Sequence, residues 1–340
     1  MRRNIFLFIL LLLVSSILFA QTGYIRPDKI VMLWDYIDKK EDNLGEDKRI
    51  VHNGLDVVSP TWFSIGSEYG HVSSLASGEY VEWAHDNGIA VWAVFENSSD
   101  DLLTFRALSS ASRRKNIIDQ IAGLVREFNL DGINIDFESM GRETVRFFEL
   151  FIAELYEKLK PMEITLSVDI PFPVSEILEI YNLELLSGGS DYLVLMAYNQ
   201  HREDRAGPMA AIGWVRQGIE ETLQYVPGEK LILGIPFFTR VWTENREGGA
   251  SGLSSVQGGM KETYEMFDKA AGVWGRDRTT EQIYSEYEKD LKRYRVWLED
   301  EHSISLKLDA INDYNLAGMS AWRRGWEWEE IWDMINAYFE

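Results

Sequence analysis

The sequence contains no cysteine, which rules out disulfide stapling and a lipid-modified cysteine behind an export signal. Its fold must be held by its core. Histidine is scarce at 5 residues, none at an HxxxH-type spacing, so no metal ligand set is expected and no cofactor is called for. Basic residues are outnumbered, 34 Lys and Arg against 55 Asp and Glu, giving a formal charge of −21. Such a field repels nucleic acid and anionic membranes and disfavours non-specific adhesion to anionic wall polymers, while leaving a local cleft able to bind neutral sugars. Beyond the first twenty residues there is no second long apolar run, tandem repeat, linker or low-complexity tail. Neither a second membrane span nor an appended wall-binding module is expected.

What is present begins with Arg2 and Arg3, an apolar run over 5–14, small residues, and Ala20 before Gln21. This layout predicts a signal peptide over 1–20, cut after Ala20, and an exported product that is secreted, periplasmic or held at the cell envelope. The apolar run is too short to favour a stable span, and an uncleaved anchor is the alternative. Residues 21–340 suffice for one large α/β barrel with an insertion, expected to be a monomer. Aromatic residues make up 13% of the chain, with 12 Trp. Many belong in a core, and sugar-stacking platforms are drawn from the same pool.

Apolar strand candidates alternate with helical patterns, the order of parallel βα units. Strands are predicted at 30–34, 56–63, 89–95, 131–138, 163–169, 192–198, 231–237 and 317–322. Helices are predicted at 79–87, 113–128 and 144–159, the last with Phe147, Leu150, Phe151 and Leu155 on one stripe. Eight strands with intervening helices imply a (β/α)8 TIM barrel, whose chemistry sits at the strands' C-terminal ends. The long gap between strands seven and eight holds a helical pattern at 260–271 and strand-like pieces at 282–287 and 294–298. It predicts a small α+β insertion over about 241–300 that forms one wall of the cleft.

The segment 131–138, Asp-Gly-Ile-Asn-Ile-Asp-Phe-Glu, reads as a buried strand ending in acids. Alternation sends Ile133, Ile135 and Phe137 to one face and Gly132, Asn134, Asp136 and Glu138 to the other. Same-face neighbours are roughly 6.5 to 7 Å apart, so Asp136 and Glu138 can reach one sugar ring. Taken alone, the segment is open to a blander reading as a solvated strand terminus or a metal site.

These eight residues resemble the DxxDxDxE signature of glycoside hydrolase family 18, the chitinase-like enzymes, with Asn134 in place of the usual second Asp. Three further segments resemble the family in the same order: Met196-Ala-Tyr-Asn199, Leu233-Gly-Ile-Pro-Phe-Phe-Thr-Arg240 and Ala317-Gly-Met-Ser-Ala-Trp322. The segments 58–63 and 297–301 look most like the bacterial cell-wall and spore-cortex N-acetylglucosaminidases. The resemblance implies hydrolysis of β-1,4 bonds next to N-acetylglucosamine in peptidoglycan fragments or chitin-type oligomers. It also implies retention of configuration, with the substrate's own acetamido group as nucleophile.

By the same resemblance Glu138 is general acid and base, and must hold a proton near neutral pH, which burial and the charge of Asp136 would favour. Asp136 would orient the acetamido N–H, and Tyr198 would hydrogen-bond the acetamido carbonyl. Asn134, Met196 and Asn199 join the substrate-binding set, with the Asn134 amide expected to donate to Asp136. Trp322 matches the indole that floors the reacting sugar. Arg240 reads equally as a cleft donor or a structural ion-pair partner, and Trp62 and Trp242 as subsite linings or plugs of the barrel rim. Asp131, at the strand's entry, reads as a structural hydrogen-bond acceptor. The rival from another class is a non-catalytic, lectin-like protein on the same barrel, a class that typically loses the acid that Glu138 supplies.

Overall fold

A computed structural model describes residues 29–45, 50–202, 205–245 and 252–339. The signal-peptide segment 1–20 lies outside the described residues. Eight parallel strands form a closed barrel: β1 (Ile30–Asp35), β2 (Val57–Ile65), β3 (Ala90–Glu96), β4 (Gly132–Asp136), β5 (Thr165–Ile170), β6 (Tyr192–Met196), β7 (Leu231–Pro236) and β8 (Gly318–Trp322). Each pairs with its sequence neighbours, and β1 closes the ring by pairing with both β2 and β8. A short antiparallel strand, Val72–Ser74, extends the edge of β2.

The two faces of each strand have separate partners, as the period of two requires. Ile133 and Ile135 of β4 join the large core beneath the outer helices. Met32, Trp34, Val57, Trp92, Val94, Tyr192 and Val194 fill the barrel interior, where Trp92 and Tyr192 stack with centroids 5.8 Å apart. Gly132 permits that packing, because a Cβ there would come within 2.5 Å of the Trp92 ring.

The helix Arg142–Leu159 buries Val145, Phe148, Phe151, Ile152 and Leu155. Leu150 is instead 49% exposed, so the apolar stripe is rotated by about one residue from the predicted one. A helix at Asp101–Leu108, capped by the Asp100 side chain on Leu103 N–H, was not predicted.

Between β7 and β8 lies a five-stranded antiparallel sheet, in the order Leu253–Gly259, Phe238–Asn245, Lys292–Leu298, Gln282–Lys289 and Val273–Asp277. It begins at Phe238, directly after β7, and three of its strands carry too little apolar alternation to stand out in the sequence. A buried ion pair joins it to the next helix. Lys307 donates to Glu299 at 2.8 Å with both side chains at zero exposure, and Glu299 also accepts from Gln282 Nε2 and Ser303 Oγ.

The N-terminal rim is tied by three aspartates, each immediately preceding a strand. Asp56 accepts from Val31 N–H at 2.8 Å, Asp131 from Val91 N–H at 2.8 Å, and Asp191 from Leu166 N–H at 2.9 Å. They link β1 to β2, β3 to β4 and β5 to β6. Asp131 also meets His85 Nε2 at 2.8 Å, which places it at the end of the barrel away from the strands' C-terminal mouth.

Removing one tie leaves a backbone donor without its acceptor, at a cost of about 1–3 kcal/mol. Asp191→Ala is therefore expected to lower the urea midpoint by that equivalent, with no loss of saccharide affinity. An unchanged midpoint would show that water replaces the carboxylate at Leu166.

Candidate active site

The upper interior of the barrel is polar, because the inward positions near the strands' C-terminal ends are Ser59, Asn134, Ser167, Asp169 and Ser320, all buried. Asn134 is their centre. Its carbonyl oxygen accepts from Trp34 Nε1 at 2.9 Å; Ser59 Oγ lies 3.4 Å away but gives its hydrogen to Trp92 C=O at 2.5 Å. Its amide donates to Ser167 Oγ at 3.0 Å and Asp169 Oδ1 at 2.7 Å. Trp34 can only donate, so the orientation of the carboxamide is fixed.

This corrects two expectations. Asn134 is fully buried and spent on protein partners, so it positions other groups and does not contact substrate, and its amide reaches Asp169 rather than Asp136. Asp169 was missed as a member of the site. Its signal lay in the period-two placement of Ser167 and Asp169 on β5, one strand over from Asn134 and Asp136.

Asp136 ends β4, with Oδ1 buried and lacking a hydrogen-bond partner among the described residues. Burial, then the charges of Glu138 and Glu96, push its carboxyl up to about 8. Burial and the charge of Asp136 hold Asp169 well above the ordinary carboxylate range, against the opposing hydrogen bond from Asn134. The two form a buried carboxyl pair in which a shared proton is favoured over two charges. Glu96, in register with Asp136 across β3 and β4, is raised by burial and by the charge of Glu138. The predicted strand stopped one residue short of it.

Glu138 follows the strand, and its side chain is exposed, so the expected burial is not found. Its backbone is held instead. Asn97, buried after β3, accepts from Glu138 N–H at 3.0 Å and donates to Glu138 C=O at 2.9 Å. Thr104 Oγ1 accepts a second bond from the same Asn97 amide at 2.9 Å. A polar residue after an apolar strand gave no specific signal for this clamp.

Tyr198 lies just past β6, and Asn199 adopts a left-handed φ of 61°, which Asn tolerates better than most residues. Burial, and then the charges of Asp136, Asp169 and Glu138, hold the Tyr198 phenol protonated, so it faces the acids as an O–H donor. Asn199 Oδ1 is buried and lacks a donor among the described residues.

Trp34 packs edge-on to Tyr198 at 6.3 Å and tilts against Trp322 at 6.2 Å. Trp322 and Met196 are partly exposed, so the rim of the site is aromatic and apolar while its floor is acidic. A cavity of about 280 Å³ lined by Tyr36, Asp38, Thr61, Ser73, Ser74 and Glu96 opens beside it.

The remaining candidates lie elsewhere. Trp62 is 2% exposed, packs on Tyr80, and donates its indole N–H to Asn43, so most of its ring is core, while one edge lines the cavity beside Glu96. Trp242 is likewise buried and bonds Gly207 C=O at 2.9 Å. Arg240 is partly buried in the inserted sheet and donates to Ser255 Oγ at 3.1 Å.

The sequence model of Glycosyl hydrolases family 18 matches residues 69–326, and the chain belongs to that family. The uncharacterized glycosylase YvbX of Bacillus subtilis is 23% identical over 297 residues, 84% of this chain and 85% of the relative. The cortical fragment-lytic enzyme of the same organism is 23% identical over 241 residues, 68% of this chain but only 55% of the relative. Among solved structures, the Bacillus cereus spore cortex-lytic enzyme SleL superposes with a TM-score of 0.82 at 18% identity, covering 92% of this chain and 74% of that one. A chitinase from Chromobacterium violaceum superposes with a TM-score of 0.77 at 20% identity, covering 91% and 98%. At these identities the superpositions speak for the barrel alone.

The raised carboxyl of Asp136 has a thermodynamic sign. Its folded pKa lies above the ordinary unfolded value near 4, so the folded state holds the proton more tightly between that value and about 8. That contribution is complete below the unfolded pKa and is lost as pH rises through the folded one. Asp136→Asn has no such proton to lose. Its melting temperature relative to the parent is expected to rise as pH goes from ~4 to ~9, measured on both proteins in matched buffers. A pH-independent difference would refute the assignment.

Proposed function

We propose that this family 18 glycosidase is an exported hydrolase of β-1,4 glycans that cuts next to N-acetylglucosamine with retention of configuration. The observation that carries the proposal is the convergence of Glu138, Asp136 and Tyr198 on one strand-end mouth, above a buried carboxyl pair and beside the Trp322 indole. Export rests on the apolar run behind Arg2 and Arg3. Substrate assistance is the family's known departure from the two-carboxylate scheme and is adopted from the family.

In the first step the acetamido oxygen attacks the anomeric carbon as the glycosidic C–O bond breaks, and Glu138 gives its proton to the leaving oxygen. The acetamido N–H donates to Asp136 Oδ1, an acceptor that has no donor among the described residues. The Tyr198 hydroxyl donates to the acetamido oxygen and aligns it. Positive charge then develops on the cyclised oxazolinium ring. The Asp136–Asp169 pair answers it, since a cation beside a buried carboxyl pair favours its ionised form.

In the second step water attacks the anomeric carbon, Glu138 takes the water proton, and the acetamido group is restored. Glu138 must face water for that step and be covered for the first. Its exposed side chain on a clamped backbone suits an acid that the bound glycan encloses.

Two measurements test this reading. Glu138→Gln is expected to lower turnover of an unactivated N-acetylglucosamine oligomer by at least about 10²-fold while keeping fold and affinity. Turnover equal to the parent's would overturn the role. Oligomers lacking the acetyl group on the reacting sugar are expected to bind but stay uncut, whereas equal hydrolysis would point to a nucleophile supplied by the enzyme.

A further inference from the structure

Two consecutive arginines follow Trp322, and the structure uses them differently. Arg324 is buried and consumed. It pairs with Asp35 Oδ2 at 3.0 Å, donates to Ile50 C=O at 2.8 Å, and lies over Trp83. Asp35 is further occupied by the Tyr80 hydroxyl at 2.8 Å.

Arg323 has no such partner. Its guanidinium carbon lies 4.0 Å from the centroid of Trp326 and 4.9 Å from that of Tyr36. Among the described residues it forms no ion pair, and its Nε is buried with no hydrogen-bond acceptor. Aromatic contact stabilises the cation but satisfies none of its N–H donors. The acid whose charge reaches it, Asp35, is already bonded to Arg324 and Tyr80, so in a chain of charge −21 this half-buried arginine makes no direct ion pair among the described residues.

Its position is equally specific. Tyr36 meets the Trp322 ring at 6.4 Å, and Trp326 meets Phe238, which meets Tyr198 at 5.7 Å. Arg323 is thus set into the aromatic wall that borders the reacting-sugar position, on the side where β1 ends. A guanidinium held by rings and short of acceptors matches a planar carboxylate, which it can bind through two parallel N–H bonds. A homopolymer of N-acetylglucosamine offers no anion.

We propose that Arg323 is a specificity residue that receives a carboxylate carried by the glycan, so that the enzyme favours an acidic saccharide over neutral chitin-type chains. The carboxylate that fits a β-1,4 N-acetylglucosamine polymer is a 3-O-lactyl ether, or the peptide attached through it. The proposal deepens the glycosidase reading above and rests on it.

The test compares kcat/KM for three tetrasaccharides: one alternating N-acetylglucosamine and N-acetylmuramic acid, its lactyl methyl ester, and the neutral N-acetylglucosamine tetramer. The native protein is expected to prefer the free acid over its ester by at least about tenfold, the size of one charge-assisted hydrogen bond. The preference should shrink as NaCl rises from ~50 to ~500 mM, collapse in Arg323→Gln, and partly return in Arg323→Lys. A substrate whose lactyl group bears a stem peptide tells the two sources apart. A preference kept there assigns the anion to the peptide, and a preference lost there assigns it to the lactyl group.

Equal treatment of acid and ester by the native protein, with the stem-peptide substrate cut no better than the neutral tetramer, overturns the proposal, whether or not the Arg323 variants fold. If no tetrasaccharide is cut, the glycosidase reading has failed. Calorimetric binding of the acid, the ester, the stem-peptide substrate and the neutral tetramer to Glu138→Gln then decides the role of Arg323, with equal affinities for all four overturning it.

Discussion

The carboxamide of Asn134 is the group on which the site depends. It sits in the barrel interior with both amide hydrogens donated and its carbonyl oxygen accepting from Trp34. It ties β1 and β5 to β4 at the layer just below the strand-end mouth. A buried amide bonded at both of its ends costs little to keep and much to disturb. It also sets one edge of the carboxyl pair: by donating to Asp169 it opposes the shift that burial and Asp136 impose, so the proton balance above it is coupled to the packing below.

Much of this architecture was legible from period and order. The eight strands follow from apolar runs spaced by helical patterns, and the acid positions follow from alternation along 131–138. Legibility failed where a side chain's fate depends on a neighbouring strand. Asn134 and Asp136 look equivalent in sequence, two residues apart on one face, yet one is sealed beneath the mouth and the other opens into it. Trp62 and Trp322 both lie toward the C-terminal ends of barrel strands, but Trp62 is capped by Asn43 and Tyr80, partners with no sequence proximity. The inserted sheet was only partly visible because Leu253–Gly259 and Val273–Asp277 expose much of their surface and lack the alternation of a half-buried strand. Asp169 was visible in the pattern of its own strand and went unused. Asn97 required knowledge of which backbone it would meet.

The two ends of the barrel are stabilised by different means. At the strands' entries, Asp56, Asp131 and Asp191 bond main-chain N–H groups of the adjacent strand, fixing relative register. At their exits the polar groups bond one another, or, among the described residues, leave acceptors on Asp136, Asp169 and Asn199 without a donor. A buried acceptor without a donor costs free energy, and a ligand N–H or O–H that reaches it would recover that cost.

The Asn97 clamp has an evolutionary corollary. It grips the peptide N–H and C=O of residue 138 and is indifferent to the side chain that residue carries. If Glu138 acts as proposed, a single codon change at 138 removes the acid while the loop, the aromatic wall and the carboxyl pair keep their places. On that reading the distance between a glycan-cutting protein and a glycan-holding one is one substitution, and the path can be walked in either direction without the fold having to adapt.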